Sequence, residues 1–226
     1  MNKKLFYTVT TMIGITIIYF TIRKFFGKKA QPVGSVLFVG DSITAIDYNG
    51  TPVTSTYPNF IKKELEPKGI KVDVVAKGGK RTDWMLSNLT EKLKTNKYDR
   101  VYIYGGVNDM FSSTSKQSAL QNVQKMVDLI KSKGAEPYVI IGYNAETFMD
   151  ENKLKPTSYV PTKAGMVKLK NRYIDYQNSI ADTITGATIV DKFNIPSSMT
   201  SDAVHPSTSG QKIIAESLLK DLRISI

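Results

Sequence analysis

The chain holds one histidine, His205, and no cysteine. Chemistry that needs an imidazole therefore has a single candidate. Thiolate nucleophiles, disulfide scaffolds and multi-histidine metal sites are excluded. Asp202 stands three residues before that histidine, in Asp202-Ala203-Val204-His205-Pro206. A carboxylate at this offset can fold back through a turn, accept the Nδ1 proton and leave Nε2 free as a general base. Ser42, in Gly40-Asp41-Ser42-Ile43-Thr44, follows a short apolar run and opens a turn. Its hydroxyl would stand exposed there, beside a free backbone N–H. Asn108, in Gly105-Gly106-Val107-Asn108-Asp109, can present an amide N–H₂ into the same crevice. Each residue also has an ordinary structural use. A serine commonly caps a helix, Gly, Asn and Asp make turns, and a histidine can simply satisfy one.

These residues are far apart in sequence, so the fold must bring them together. Short apolar runs at Ser35–Val39, Val72–Ala76, Val101–Tyr104, Pro137–Gly142 and Ala187–Val190 read as strands. Segments with helical periodicity lie between them, at Pro58–Glu66, Asp83–Thr95, Ser115–Lys133 and Thr162–Thr183, and Ser207–Leu222 closes the chain. The alternation predicts a mostly parallel sheet of about five strands with helices on both faces. In such a sheet ligands bind beyond the carboxyl ends of the strands, near the topological switch point. Ser42 and Asn108 follow the first and third runs. The second run ends at Lys77-Gly78-Gly79-Lys80, where a bare backbone N–H can face a ligand. Tyr143 and Asn144 follow the fourth run, and Trp84, the only tryptophan, follows the glycine pair. Substrate contact is an expectation for all three, against turn chemistry for Tyr143-Asn144 and helix packing for Trp84.

The blocks Gly40-Asp41-Ser42, Gly106-Val107-Asn108-Asp109 and Asp202-Ala203-Val204-His205, with the glycine block between the first two, resemble the SGNH (GDSL-type) hydrolase superfamily. The resemblance runs from about Ser35 to the end of the chain. The first block continues Ile-Thr where the founding pattern has Leu, and either Gly78 or Gly79 could be the family's glycine. Gly78 is favoured, since it follows the strand at the usual two-residue offset. The resemblance implies a flavodoxin-like three-layer α/β/α sandwich and acyl-ester hydrolysis without cofactor or metal. It implies Ser42 as nucleophile, His205 as base and Asp202 as its partner. Ser42, Gly78 and Asn108 would then hold the oxyanion. It leaves open acyl transfer, in which a hydroxyl replaces water, and a non-catalytic glycan-binding or virion surface module on the same fold. The intact Ser, Asn, Asp and His set argues against the latter.

The first 29 residues belong to no such domain. Leu5 to Ile22 is an uncharged run of 18 residues, about 27 Å long as a helix, enough for a bilayer's hydrocarbon core. Tyr7 and Tyr19 sit near its ends, where aromatic rings favour the interface. Five threonines dilute the run but can bond back to helix carbonyls. A cleaved signal or a buried soluble helix are the other readings. Against the first, Arg23-Lys24-Phe25-Phe26-Gly27-Lys28-Lys29 is a poor cleavage context; against the second, no strongly polar face falls at helical spacing. The expectation is an anchor over residues 1–29, a linker over 30–34 and one hydrolase domain over 35–226.

The net charge is +11, and residues 1–29 carry six bases and no acid. Taking those six from 31 bases leaves 25 against 20 acids. The excess thus flanks the apolar run and reads as membrane-surface anchoring. With no reader motif beside it, nucleic acid is not an expected partner. Four bases follow the run and two precede it, which favours a cytoplasmic domain, while the short tail ending in a Lys pair suits a signal anchor that exports its domain. The charges do not decide the side. A surface glycan or lipid ester as substrate favours the extracytoplasmic one.

Overall fold

The computed structural model describes residues 33–221 apart from 46, 49, 50, 53, 155, 157–161 and 201. The expected anchor, with its helix over about 5–22, and residues 30–32 of the linker lie outside the described residues. Among the described residues no helix is long and apolar enough to cross a membrane.

In chain order the strands are β1 (Ser35–Gly40), a short antiparallel pair β2 (Asp47–Tyr48) and β3 (Thr51–Pro52), then β4 (Lys71–Ala76), β5 (Arg100–Tyr104), β6 (Glu136–Ile140) and β7 (Thr188–Val190). Five of them form one parallel sheet in the order β4-β1-β5-β6-β7. Counted within the sheet this is 2-1-3-4-5, the flavodoxin-like order, with the switch point between β1 and β5. Val36, Leu37, Phe38 and Val39 of β1 are all 0 % exposed. A central parallel strand covered on both faces needs such an unbroken apolar run rather than an alternating one.

The helices are α1 (Tyr57–Leu65), α2 (Thr82–Thr95), α3 (Val107–Met110), α4 (Lys116–Ser132), α5 (Ala145–Phe148), α6 (Lys163–Thr183) and α7 (Thr208–Asp221). α1 packs with α7 on one face, while α4 packs against both α2 and α6 on the other. The result is the expected three-layer sandwich. Sequence signals start several of these helices. Pro58 stands in the first turn of α1. Ser115 caps α4 by accepting the Ser118 N–H at 3.1 Å, and Thr162 caps α6 by accepting that of Gly165 at 3.0 Å. The one-turn helices α3 and α5 and the β2–β3 pair are not legible as periodic segments. They are too short to show a period.

Register carries the architecture to the site. Gly40 at the end of β1 pairs with Ala76 of β4 on one side and Tyr104 of β5 on the other. The turns leaving these three strands therefore emerge side by side. They are the Ser42 turn, the Gly78-Gly79 turn and the Asn108 turn.

Candidate active site

The Ser42 turn is built downward from its neighbours. The Asp41 carbonyl accepts the N–H groups of Thr44 (3.1 Å) and Ala45 (2.9 Å), and Asp41 Oδ1 accepts the Ile43 N–H at 3.0 Å. Asp41, Ile43 and Thr44 are fully buried, so the turn is rooted in the core and Ser42 is left half-exposed above it. Burial pushes the Asp41 carboxyl up to about 6, against the lowering effect of the Ile43 N–H. Its Oδ2 has no hydrogen-bond partner among the described residues.

Two further turns meet it. Lys77 to Lys80 form a tight turn closed by the Lys80 N–H to the Lys77 carbonyl (3.3 Å), with Gly79 left-handed at φ +71°. A side chain at that third position would be strained, so the turn itself accounts for Gly79. The half-buried Gly78 has no such conformational duty. On the other side Gly106 adopts φ +106°, and a Cβ there would lie 2.3 Å from the Tyr176 ring. Only glycine allows the chain to turn into α3 under that ring.

Asn108, at the start of α3, donates from Nδ2 to the Lys80 carbonyl at 3.0 Å. Its neighbour Asp109 is buried and accepts from the Thr82 N–H (3.0 Å) and hydroxyl (2.7 Å). Burial raises the Asp109 pKa, and the Thr82 bonds work against it. Together these bonds lock the glycine turn and the start of α2 to the Asn108 turn. The sequence names Asn108 and Asp109 in one block but carries no sign of Thr82, 27 residues away, as their partner.

His205 comes from the other end of the chain. Its Nε2 lies 2.9 Å from Ser42 Oγ, across 163 residues of sequence, and its Nδ1 lies 2.7 Å from Asp202 Oδ2. The carboxylate can only accept, so Nδ1 carries the proton and Nε2 accepts from the Ser42 hydroxyl. Asp202 Oδ1 takes three more donors: the N–H groups of Val204 (2.9 Å) and His205 (2.8 Å) and the Thr200 hydroxyl (3.2 Å). Partial burial works to raise the Asp202 pKa. The His205 ring and the two backbone N–H groups outweigh it, and the carboxyl is held well below its usual range. In return the Asp202 hydrogen bond raises the His205 pKa above 6.5, although burial acts the other way.

Wrapping a carboxylate this way forces the backbone. Ala203, between the two, is left-handed at φ +62°, the only non-glycine with positive φ among the described residues. That conformation costs about 1–3 kcal/mol and persists only where surrounding bonds fix it.

The three residues expected to meet substrate have partners within the fold. Tyr143 is fully buried, its ring 4.2 Å from that of Phe148 and 6.0 Å from that of Tyr173. It is a core residue, because the segment past β6 runs on beside Phe193 as an extension of the sheet and turns this side chain inward. Asn144 caps α5, its Oδ1 accepting the Glu146 N–H at 3.2 Å, and so does turn chemistry. Trp84 is half-buried on α2 and packs against the core. Among the described residues no cluster of three or more His, Asp or Glu is placed to hold a metal ion.

A serine hydroxyl bonded to a carboxylate-held imidazole, at the switch point of a three-layer parallel sheet, is an arrangement that can activate a serine for nucleophilic attack. The chain belongs to the GDSL-like lipase/acylhydrolase family, whose family model matches residues 38–213. No curated protein matches the chain. Among solved structures it is similar to TesA, at 21 % identity and a TM-score of 0.56 over 84 % of this chain and 98 % of that one. It is also similar to Axe2, an acetylxylan esterase from Geobacillus stearothermophilus, at 18 % identity and a TM-score of 0.61 over 85 % and 95 %. A third is the psychrotrophic esterase EstA from Pseudoalteromonas sp., in a structure inhibited by monoethylphosphonate. It shares 16 % identity at a TM-score of 0.57 over 84 % and 97 %. At these identities the likeness is one of fold.

Proposed function

We propose that the chain is a membrane-anchored serine esterase acting on an acyl ester of a carbohydrate or lipid, through an acyl-enzyme on Ser42. The observation that carries the reading is the unbroken chain from Ser42 Oγ to His205 Nε2 (2.9 Å) and from His205 Nδ1 to Asp202 (2.7 Å). In the first step Ser42 Oγ attacks the ester carbonyl carbon while its proton passes to Nε2, and Asp202 stabilises the imidazolium. The oxyanion takes the Ser42 and Gly78 backbone N–H groups and the Asn108 Nδ2 proton not given to Lys80. Each such donor contributes roughly 3 kcal/mol in a water-excluded site. Collapse breaks the bond to the alcohol, which leaves with the proton held on His205. Water then attacks the acyl-enzyme, with His205 as base again, and releases the carboxylic acid and Ser42.

Gly78 is preferred to Gly79 because the turn already explains Gly79. Axe2 is an acetylxylan esterase, which supports an acetylated glycan as the first substrate to try. The apolar run over residues 5–22, with its flanking bases, supports an anchor, and a surface ester then supports an extracytoplasmic domain. The test is a panel of acetyl, butyryl and longer acyl esters and acetylated sugars, given to the full chain in detergent and to its Ser42→Ala variant. The reading expects turnover of at least one short ester that is lost in the variant. Equal turnover by the two proteins would overturn it.

A further inference from the structure

Ser42 and His205 approach each other from segments 163 residues apart, and one buried side chain spans the two. Gln211 lies in the first turns of α7, six residues after His205, and is 5 % exposed. Its Nε2 donates to the carbonyl of Ile43, the residue after Ser42, at 3.1 Å. Its Oε1 accepts the N–H of Tyr57, the first residue of α1, at 3.0 Å. That N–H is one of the orphan donors of a helix start, so the amide satisfies a group that the helix itself cannot. A third bond closes the ring: the hydroxyls of Tyr57 and Thr44 lie 3.0 Å apart.

Both polar backbone groups of Ile43 are thereby fixed. Asp41 Oδ1 holds its N–H from within the nucleophile turn, and Gln211 holds its carbonyl from the histidine's helix. The far side of the link is equally firm. The Gln211 N–H donates to the Ser207 carbonyl at 2.8 Å, and the Ser207 N–H donates to that of Met199 at 2.6 Å. Thr200 bridges to Pro206, closing the loop that carries Asp202 and His205.

An apolar side chain between α7 and α1 would leave the Ile43 carbonyl and the Tyr57 N–H buried without these bonds. A buried amide stabilises only when both its ends are partnered, as they are here. From this geometry we infer that Gln211 is a positioning residue that sets the approach of His205 to Ser42, tying the nucleophile turn to the helix behind the base. The inference rests on the reading of Ser42 and His205 as nucleophile and base. A displacement of about 1 Å at such a pair lowers the rate about a hundredfold without touching the substrate's binding contacts.

The test uses the full chain in detergent, with para-nitrophenyl acetate and an ethylphosphonate ester reagent as probes. Gln211→Met keeps the length and removes both bonds. Gln211→Asn keeps the amide but is too short to reach both partners, and it carries the test if the Met variant does not fold. Each folded variant is expected to lose about 10- to 100-fold in kcat, and as much in the rate of phosphonate labelling, with KM within about threefold. A folded variant with unchanged kcat, or with KM raised and kcat kept, would overturn the inference and leave Gln211 a packing residue. Ser42→Ala is run beside them. Turnover that survives there defeats the reading of the site itself. Turnover lost there but kept in a folded Gln211 variant defeats only the inference.

Discussion

β1 has an aspartate at each end, and the two live in opposite circumstances. At the amino edge of the sheet Asp99, which precedes β5, is exposed, and its Oδ2 accepts from the Gly34 N–H, the Ser35 N–H and the Ser35 hydroxyl, at 2.8, 2.8 and 3.0 Å. At the carboxyl edge Asp41, which follows β1, is fully buried with one donor on Oδ1 and no partner on Oδ2 among the described residues. The first arrangement satisfies a carboxylate and joins two strands. The second leaves a buried polar atom unpaired, which is destabilising, and the left-handed Ala203 nearby adds to that cost. Polar groups at the amino edge serve stability. At the carboxyl edge the Asp41 carboxyl and the Ala203 backbone, in the turns that carry Ser42 and His205, are held at some expense to stability.

The comparison breaks most visibly at His205. His205→Ala should lower kcat by three or more orders of magnitude while the Tm stays within a few degrees, since the half-exposed ring adds little to the core. The wild-type pH profile sharpens the same point. His205 acts as a base only when neutral, and its bond to Asp202 raises its pKa above 6.5. The acid limb of kcat/KM should therefore rise with pH through a value above 6.5. A limb at or below 6.5 would mean that Asp202 does not hold the imidazole in solution.

Asn108→Ala comes next, with a loss of about a hundredfold in kcat and a smaller change in KM, because an oxyanion donor acts mainly in the transition state. Loss confined to KM would place Asn108 in ground-state binding. The smallest effect belongs to the other edge. Asp99→Ala should cost about 1 kcal/mol, or roughly 2–4 °C in Tm, with kcat/KM unchanged. A change in activity there would remove the distinction between the two edges.

Much of this was legible in sequence, and the reason is local. Strands such as Val36–Val39 read as strands because both faces are buried, and the turn glycines mark where they end. Ser42 and Asn108 follow such ends, so a parallel sheet brings their turns to one edge, while Asp202 and His205 are marked by their own three-residue spacing before the last helix. What was not legible depends on direction or on distant partners. Tyr143 has the right position after its strand, but its ring points into the core, towards Phe148 and Tyr173. Asn144 and Trp84 likewise serve a cap and a packing face. Gln211 carries no local mark at all, since its partners Ile43 and Tyr57 are 168 and 154 residues away. The bonds from Thr82 to Asp109 are invisible for the same reason.

The central claim is that Ser42 is a nucleophile activated by His205. The most direct measurement is covalent labelling of the full chain with an ethylphosphonate ester reagent, read by intact mass and by peptide mapping. The account predicts one adduct per chain, on the peptide that holds Ser42, with labelling slowed by at least about a hundredfold in His205→Ala. An adduct on another residue, or equal labelling rates with and without His205, would contradict it.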